Sequence, residues 1–355
     1  MSRFLTQKFA SLEPYVPGEQ PQDLRLIKLN TNESPYPPAP RVRQAAAEQA
    51  SCLNYYADPD CTALREKLAQ VCGTAPENVF VTNGSDEALA FLLQAFGDEG
   101  HPFCFPDLTY SFYAILCRFY GVPFTEIPLQ ADFTVDPADY RSARGHLLLA
   151  NPNAPTGFAL PVEAIERIAC ENPDRLVVVD EAYVDFGWES CIPLTKALDN
   201  VLVVQTFSKS RSLAGGRLGF AVGCEALIAD LNALKAAANP YSVNRMTLAC
   251  GLAALEEADY CRENCRRIIE TRADTTKRLR ELGFSVLPSQ TNFVLAEHPA
   301  VSGEALCGKL RARGILVRHF DHPRIANYNR ITIGSREQMD VFLQAVNDIL
   351  SEVQP

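Results

Sequence analysis

Lys209 and Arg217 stand eight residues apart in the segment Thr206-Phe-Ser-Lys-Ser-Arg-Ser-Leu-Ala-Gly-Gly-Arg217. The apolar run Val201-Leu-Val-Val204 leads into them. Lysine is among the residues least often fully buried, so one that closes a buried strand asks for a chemical reason. A desolvated lysine gives up its proton readily and becomes a nucleophile toward aldehydes. The small Leu-Ala-Gly-Gly stretch lets Arg217 fold back toward the same place. One group can then hold a ligand's aldehyde and the other its phosphate.

Four other places carry residues of matching chemistry. Asn83-Gly-Ser-Asp-Glu87 falls between a strand pattern and a helix pattern. Free N–H groups at a helix start, with the Ser85 hydroxyl beside a glycine, make an anion site; an ordinary cap with Asp86 and Glu87 in the first turn reads the same way. Asn151-Pro-Asn-Ala-Pro-Thr-Gly157 is a rigid turn after a buried strand, either a functional loop or a plain connection. Asp180 ends the run Leu-Val-Val-Val-Asp and is followed by Tyr183. A carboxylate there is costly unless paired, and a protonated ring nitrogen, a helix cap or a salt bridge would each resolve the cost. Tyr110, after Pro106-Asp-Leu-Thr, can stack on an aromatic ring or pack as an ordinary tyrosine.

The elements that must position these groups alternate. Strand patterns over 79–82, 102–105, 146–151, 176–180, 201–207 and 217–223 are separated by helix patterns over 85–97, 111–120 and 162–172, and 225–238 follows as a helix. Strands apolar on both faces, interleaved with helices, predict an α/β protein with a mainly parallel sheet covered on both sides. Ligands gather at the carboxyl ends of such strands, where the candidate residues fall. After Asn239-Pro240 the pattern changes. Helices over 242–257, 260–282, 303–313 and 336–353, with strands over 284–287, 291–295 and 328–333, predict a smaller α+β domain. The expected division is an N-terminal arm and interdomain crossing (1–40), a large domain (41–240) and a small domain (241–355). Asn30 to Pro40 is proline-rich, as an extended crossing would be.

Composition narrows the class. The chain has 355 residues, 47% hydrophobic and 21% charged, with a net charge of −10. That balance argues against nucleic acid as a partner, whose phosphates need a basic face; any anion site must be built from a few arginines. Twelve cysteines are scattered without a C-x-x-C pair, which suggests neither a metal site nor a redox motif and favours free thiols in a reducing cytoplasm. The N-terminus lacks the apolar core of a signal peptide, and no eighteen apolar residues run together, so no membrane span is expected.

Taken in order, these features are a phosphate turn, an aromatic, an Asn-Pro loop, a strand-end Asp with Tyr, a strand-end Ser-Lys and an Arg. That order resembles the fold type I pyridoxal phosphate-dependent transferases from about residue 15 to about residue 342, which implies a large domain around a mainly parallel seven-stranded sheet and a smaller α+β domain. The resemblance implies that Lys209 would bond covalently to the cofactor's aldehyde carbon and then shuttle a proton. Asp180 would pair with the pyridinium, Tyr183 would bond O3′, and Tyr110 would stack on the ring. Ser85, Asp86, Ser208 and Arg217, with Thr206, would surround the phosphate. Tyr56 resembles a tyrosine that reaches into the neighbouring subunit's phosphate site, which implies a homodimer with shared sites. Relatives carry Asn immediately before Pro-Thr-Gly; here the residue is Ala154, and Asn153 or Asn151 would have to substitute at O3′, or Tyr183 serve alone.

Further segments are more specific: Pro14-Tyr15-Val-Pro-Gly18, Leu29-Asn-Thr-Asn-Glu-Ser-Pro35, Asn54-Tyr-Tyr56, Asp180-Glu-Ala-Tyr183 and Asn329-Arg-Ile-Thr-Ile-Gly-Ser-Arg336. They resemble the histidinol-phosphate aminotransferase family of class II aminotransferases. Membership implies exchange of an amino group between L-histidinol phosphate and 2-oxoglutarate in histidine biosynthesis. Arg330 would grip the substrate's anionic group bidentately, with Arg318 as the second cation and Arg324 a weaker third. Tyr15 and Asn32 would line the substrate pocket. An aromatic or broad-specificity aminotransferase, a pyridoxal phosphate-dependent phospho-amino-acid decarboxylase and a non-catalytic regulator on the same fold are the competing expectations. The last needs a DNA-binding appendage, for which the sequence has no basic segment.

Overall fold

The computed structural model describes residues 2–9, 12–15, 17–21 and 26–353. The arm enters through a short strand, β1 (Ile27–Lys28), and crosses to helices α1 (Pro40–Ala50) and α2 (Thr62–Cys72). Strand β2 (Val79–Thr82) feeds α3 (Ser85–Phe96), β3 (Phe103–Pro106) feeds α4 (Phe112–Tyr120), and β4 (Phe124–Ile127) follows. Strand β5 (His146–Ala150) feeds α5 (Val162–Glu171). Strands β6 (Val177–Asp180), β7 (Val201–Thr206) and β8 (Gly219–Val222) lead to α6 (Glu225–Ala238) and α7 (Arg245–Glu256).

These strands form one seven-stranded sheet in the order β2-β8-β7-β6-β5-β3-β4. Strand β8 alone runs against its neighbours. The sheet is dry on both faces because its residues alternate between two cores. Val79, Val81, Leu147, Leu149, Val177, Val179, Val201 and Val203 face α1, α2, α5 and α7. Phe80, Leu148, Val178, Leu202 and Val204 face α3, α4 and α6. This is the continuous apolar pattern that a parallel sheet requires. Edge strand β4 was not visible in the sequence, since Thr125 and Glu126 are exposed and interrupt its apolar run.

The expected boundary at 240/241 puts α7 with the C-terminal unit. Its buried residues Cys250, Ala253 and Ala254 instead join the core that includes Val42 and Ala45 of α1 and Leu64 and Leu68 of α2. Helix propensity and amphipathicity say only that α7 has an apolar face, not which sheet covers it. The remaining elements are α8 (Ala258–Glu281), β9 (Ser285–Val286), β10 (Phe293–Glu297), α9 (Gly303–Ala312), β11 (Ile315–Leu316), β12 (Arg318–His319), β13 (Asn329–Thr332) and α10 (Arg336–Val353). They build an antiparallel sheet, β12-β13-β10-β9, around a separate core. Strand β1 pairs in parallel with β11 in a separate two-stranded sheet, so the arm is stitched to this unit before it crosses. Arg324 holds the two units together, bonding the Asp107 carboxylate at 3.1 Å and the Gln130 carbonyl at 2.6 Å, with its guanidinium over the Phe133 ring. It is engaged in that seam and does not join the other two arginines at an anion site. Among the described residues, no helix is long and apolar enough to cross a membrane.

One close approach ties the sheet to the α3 turn. Gly219 lies between Thr82 and Thr206 in register. A Cβ there would meet Ser85 N at 2.4 Å and Gly84 C at 2.5 Å. Gly219→Ala should therefore force that turn outward and lower stability by about 1–3 kcal/mol, as overpacking does. Gly215→Ala, where an added Cβ meets nothing within 4 Å, should keep the wild-type melting temperature. Thermal melts of the two variants check this.

Candidate functional site

The carboxyl ends of β2, β3, β5, β6 and β7 point the same way, and the loops leaving them converge. Asp180 ends β6 and is 4% exposed. Its Oδ2 accepts from the Tyr113 hydroxyl at 2.7 Å and its Oδ1 from the Ala182 N–H at 3.2 Å. Burial pushes its pKa up to about 6, with the Tyr113 bond and the Ala182 N–H pulling the other way and the Asp86 charge adding to the rise. A buried carboxyl with only neutral hydrogen-bond partners is suited to a cationic N–H brought by a ligand. Tyr113 is the one contact to Asp180 that the sequence reading missed. The signal was a tyrosine inside the apolar face of α4, whose buried hydroxyl needs a partner.

Lys209 follows the end of β7. Burial brings its amine down to about 8, against the pull of the Glu33 carboxylate and helped by Arg330. The amine donates to the Thr31 carbonyl at 3.0 Å and sits 6.0 Å from the centre of the Tyr183 ring. The nucleophile is thus held by a backbone carbonyl rather than by a carboxylate, which would keep it protonated. Tyr183 is buried, its ring edge-on to Phe293, and its hydroxyl accepts from the Asn32 amide at 2.9 Å.

The α3 turn makes the anion cradle. Gly84 has φ +81°, and a Cβ there would fall 2.6 Å from Arg217 Nη2. Only glycine keeps both the left-handed backbone and the space. Arg217 bonds Asp86 at 2.9 Å and reaches Ser208 Oγ at 3.5 Å, and Ser208 is bonded in turn to Thr206 Oγ1 at 3.0 Å. Tyr110 donates to Asp86 at 3.2 Å and stands edge-on to Tyr113 and Tyr15. So Asp86, Tyr110, Arg217, Ser208 and Thr206 are joined in one run of contacts, with Ser85 next to Asp86 at the start of α3, and the charge of Asp86 is felt by the half-buried Lys209 and the buried Asp180.

Asn153 and Tyr56 make other contacts within this chain. Asn153 accepts from Thr109 Oγ1 at 2.7 Å and donates to the Leu108 carbonyl at 3.0 Å and Thr156 Oγ1 at 2.9 Å. Its amide ties its own loop to the one that follows β3, whereas the Asn151 amide closes its own loop through Leu160. Ala154 packs in the same core as Tyr183. Tyr56 takes no part in these contacts; its ring is 78% exposed and stacks on Tyr241.

The small domain supplies the other wall. Arg318 of β12 and Arg330 of β13 are directly opposed in antiparallel register. Like charges facing each other across a ladder are destabilising, and Arg318 indeed depresses the Arg330 guanidinium, after burial has done so. Arg330 lies between the rings of Phe293 and Phe320 and donates to the Asn30 carbonyl at 2.9 Å, while its buried Nε has no partner. Such a pair is suited to an anion.

The family described as aminotransferase class I and II matches residues 25–346. The chain belongs to this family. It is 51% identical over 350 residues to histidinol-phosphate aminotransferase 1 of Bradyrhizobium diazoefficiens, covering 99% of this chain and 100% of that one. It is 46% identical over 352 residues to histidinol-phosphate aminotransferase of Brachyspira hyodysenteriae, covering 99% of each. Among solved structures it is similar to histidinol-phosphate aminotransferase from Sinorhizobium meliloti in complex with pyridoxal-5'-phosphate, with TM-score 0.84, 27% identity and coverage of 92% and 91%. The α/β architecture of this class I and II aminotransferase is thereby that of the family.

The raised Asp180 pKa has a definite sign in stability. An acid whose folded pKa lies above its ordinary 3.8 binds its proton more tightly when folded, so stability falls as pH rises from about 4 through about 6. In cofactor-free protein, Asp180→Asn should remove that loss: the variant should out-melt wild type above about pH 6, by a few kcal/mol, and match it below about pH 4. Melting curves across this range decide it; parallel curves would refute it.

Proposed function

We propose that the chain transfers the amino group of L-histidinol phosphate to 2-oxoglutarate, giving imidazole acetol phosphate and glutamate in histidine biosynthesis, with pyridoxal 5'-phosphate as cofactor. The observation that carries the substrate class is the opposed pair Arg318 and Arg330. Two guanidiniums on one face match a phosphate dianion by forked, charge-assisted bonds. The same pair can take a carboxylate of the oxo acid in the second half-reaction. The names of the two curated relatives, at 51% and 46% identity over nearly the whole chain, support the same reading.

The residues fit the cofactor. A buried carboxyl lacking a cationic hydrogen-bond partner, an amine brought down to about 8 and a glycine-walled cradle against Arg217 are three separate matches to its ring nitrogen, aldehyde and phosphate. When bound, pyridoxal phosphate supplies an electrophilic aldehyde and a ring that accepts the electron pair released at the substrate's Cα. Lys209 would hold the cofactor and, as a neutral amine, would take the proton from the substrate's Cα. Asp180 would keep a proton on the ring nitrogen. Tyr183 would donate its hydroxyl hydrogen toward O3′, and Tyr110 would cover the ring. The N-terminus of α3 at Ser85 and Asp86 would join Thr206, Ser208 and Arg217 in holding the phosphate. Tyr15, edge-on to Tyr110, lines the substrate side.

The active form proposed is a homodimer in the cytoplasm. Leu53, Tyr55, Tyr56 and Tyr241 are exposed apolar side chains at 58%, 68%, 78% and 45%, an arrangement that marks an interaction surface. Tyr56 from one subunit would complete the phosphate site of the other. The twelve free cysteines agree with a reducing compartment.

The test is a comparison of histidinol phosphate with phenylalanine. Histidinol phosphate should convert the cofactor's absorbance band and, with 2-oxoglutarate, turn over without releasing carbon dioxide. Preference for phenylalanine, or carbon dioxide release without an oxo acid, would refute the assignment. Arg318→Ala and Arg330→Ala should each raise KM for histidinol phosphate roughly 10- to 100-fold, as loss of a charged hydrogen bond does. Lys209→Ala should still bind cofactor but turn over at least ~10²-fold more slowly; near-normal turnover would remove Lys209 from the chemistry.

A further inference from the structure

Three consecutive residues of the interdomain crossing each engage one functional group of the site. The Asn30 carbonyl accepts from Arg330, the Thr31 carbonyl from Lys209, and the Asn32 amide donates to the Tyr183 hydroxyl. Asn32 is 1% exposed and has φ +59°, a left-handed conformation that asparagine tolerates better than most residues. Four contacts hold it there. Its N–H donates to Thr332 Oγ1 at 3.0 Å, its Oδ1 accepts from the same hydroxyl at 2.8 Å, its carbonyl accepts from the Asn292 amide at 2.9 Å, and its Nδ2 reaches Tyr183. Thr332 lies two residues from Arg330 on β13. The side chain of Asn32 therefore bridges the strand that carries the anion-binding arginine and the tyrosine of the large domain.

The consequence for Tyr183 is directional. Its oxygen already accepts the Asn32 N–H, so its own hydrogen is left to be given to another acceptor. Both amide hydrogens of Asn153 are committed, to the Leu108 carbonyl and Thr156 Oγ1, and position 154 is an alanine, so neither can serve that acceptor. The hydroxyl is also faced by the charges of Arg330, Asp180 and Asp86, and Lys209 lies over the ring.

We infer that Asn32 is a positioning residue: with Thr332 it aims the Tyr183 hydroxyl at the cofactor's O3′ and links it mechanically to β13, so that an anion on the arginine pair changes the hydrogen bond made by Tyr183. This rests on the cofactor assignment above. It goes beyond lining a pocket, because Asn32 acts without touching the substrate.

The measurement is the pH titration of the bound cofactor's absorbance in holoenzyme, with and without saturating inorganic phosphate as the anion. In wild type the titration midpoint should move when phosphate binds. Thr332→Val, which removes the hydroxyl while keeping the shape, should cut that movement by half or more; Thr332→Ser should restore it. Asn32→Asp, which can accept but not donate, should move the midpoint even without phosphate. Phosphate acting through its charge alone would give the same movement in Thr332→Val as in wild type, and that result overturns the linkage while leaving the aminotransferase reading intact. A wild-type protein with no cofactor band overturns both. Should Asn32→Asp fail to fold, the two Thr332 variants decide.

Discussion

Two ionisable groups, a buried carboxyl and a half-buried amine, are stripped of much of their water at the ends of neighbouring strands, and the rest of the molecule is arranged around that fact. Strands β6 and β7 are adjacent, with Asp180 in register with Val204. Beneath Asp180 and Lys209 lie side chains such as Val178, Val179, Val203 and Val204, each fully inaccessible to water. A carboxylate and an ammonium in such surroundings lose hydration that neutral hydrogen-bond partners do not replace. The protein does not cancel the two against each other. Asp180 is given a tyrosine hydroxyl and Lys209 a backbone carbonyl, and both titrate closer to neutrality than their ordinary values. Each is thereby left able to bind or exchange a proton in the physiological range, which is what paired environments at catalytic centres achieve.

That arrangement needs rigid walls. The helix start at Ser85, the close contact of Gly219 with the turn and the apolar packing of both sheet faces supply one of them. The other comes from a different sheet, where Arg330, opposed by Arg318, is held between two aromatic rings. The crossing at residues 30–32 lies along the seam and touches both. Strand β1, just before it, pairs with β11, and Thr31 and Asn32 bond Lys209 and Tyr183, so one short stretch of chain connects the small domain to both of these side chains. Arg324, bonded to Asp107 three residues before Tyr110, is a second tie across the same seam.

Much of this was legible in the chain. Apolar runs ending in Asp180 and leading into Lys209 are conspicuous because charged residues at such positions are rare. Helices α6 and α10 begin and end where their patterns predict. Less was visible where a feature depends on a partner distant in sequence. Strand β4 exists because β3 offers it an edge, not because its own residues favour it. Helix α7 is assigned to its core by α1 and α2. The commitment of Asn153 to Leu108 and Thr109, and of Asn32 to Thr332, 300 residues away, follows from hydrogen-bond geometry that residue types do not specify.

By itself, then, the sequence determined the kind of chemistry: hydrophobic periodicity sets the sheet, and the price of an ionisable group on a buried strand marks where function must lie. Only the tertiary structure decided which groups meet. Arg318 faces Arg330 because of antiparallel register, Tyr113 meets Asp180 because α4 packs against the sheet, and Asn32 reaches Tyr183 because the crossing threads between two cores. Periodicity is a local property of the chain, whereas hydrogen-bond partnership depends on distances that exist only after both cores have closed.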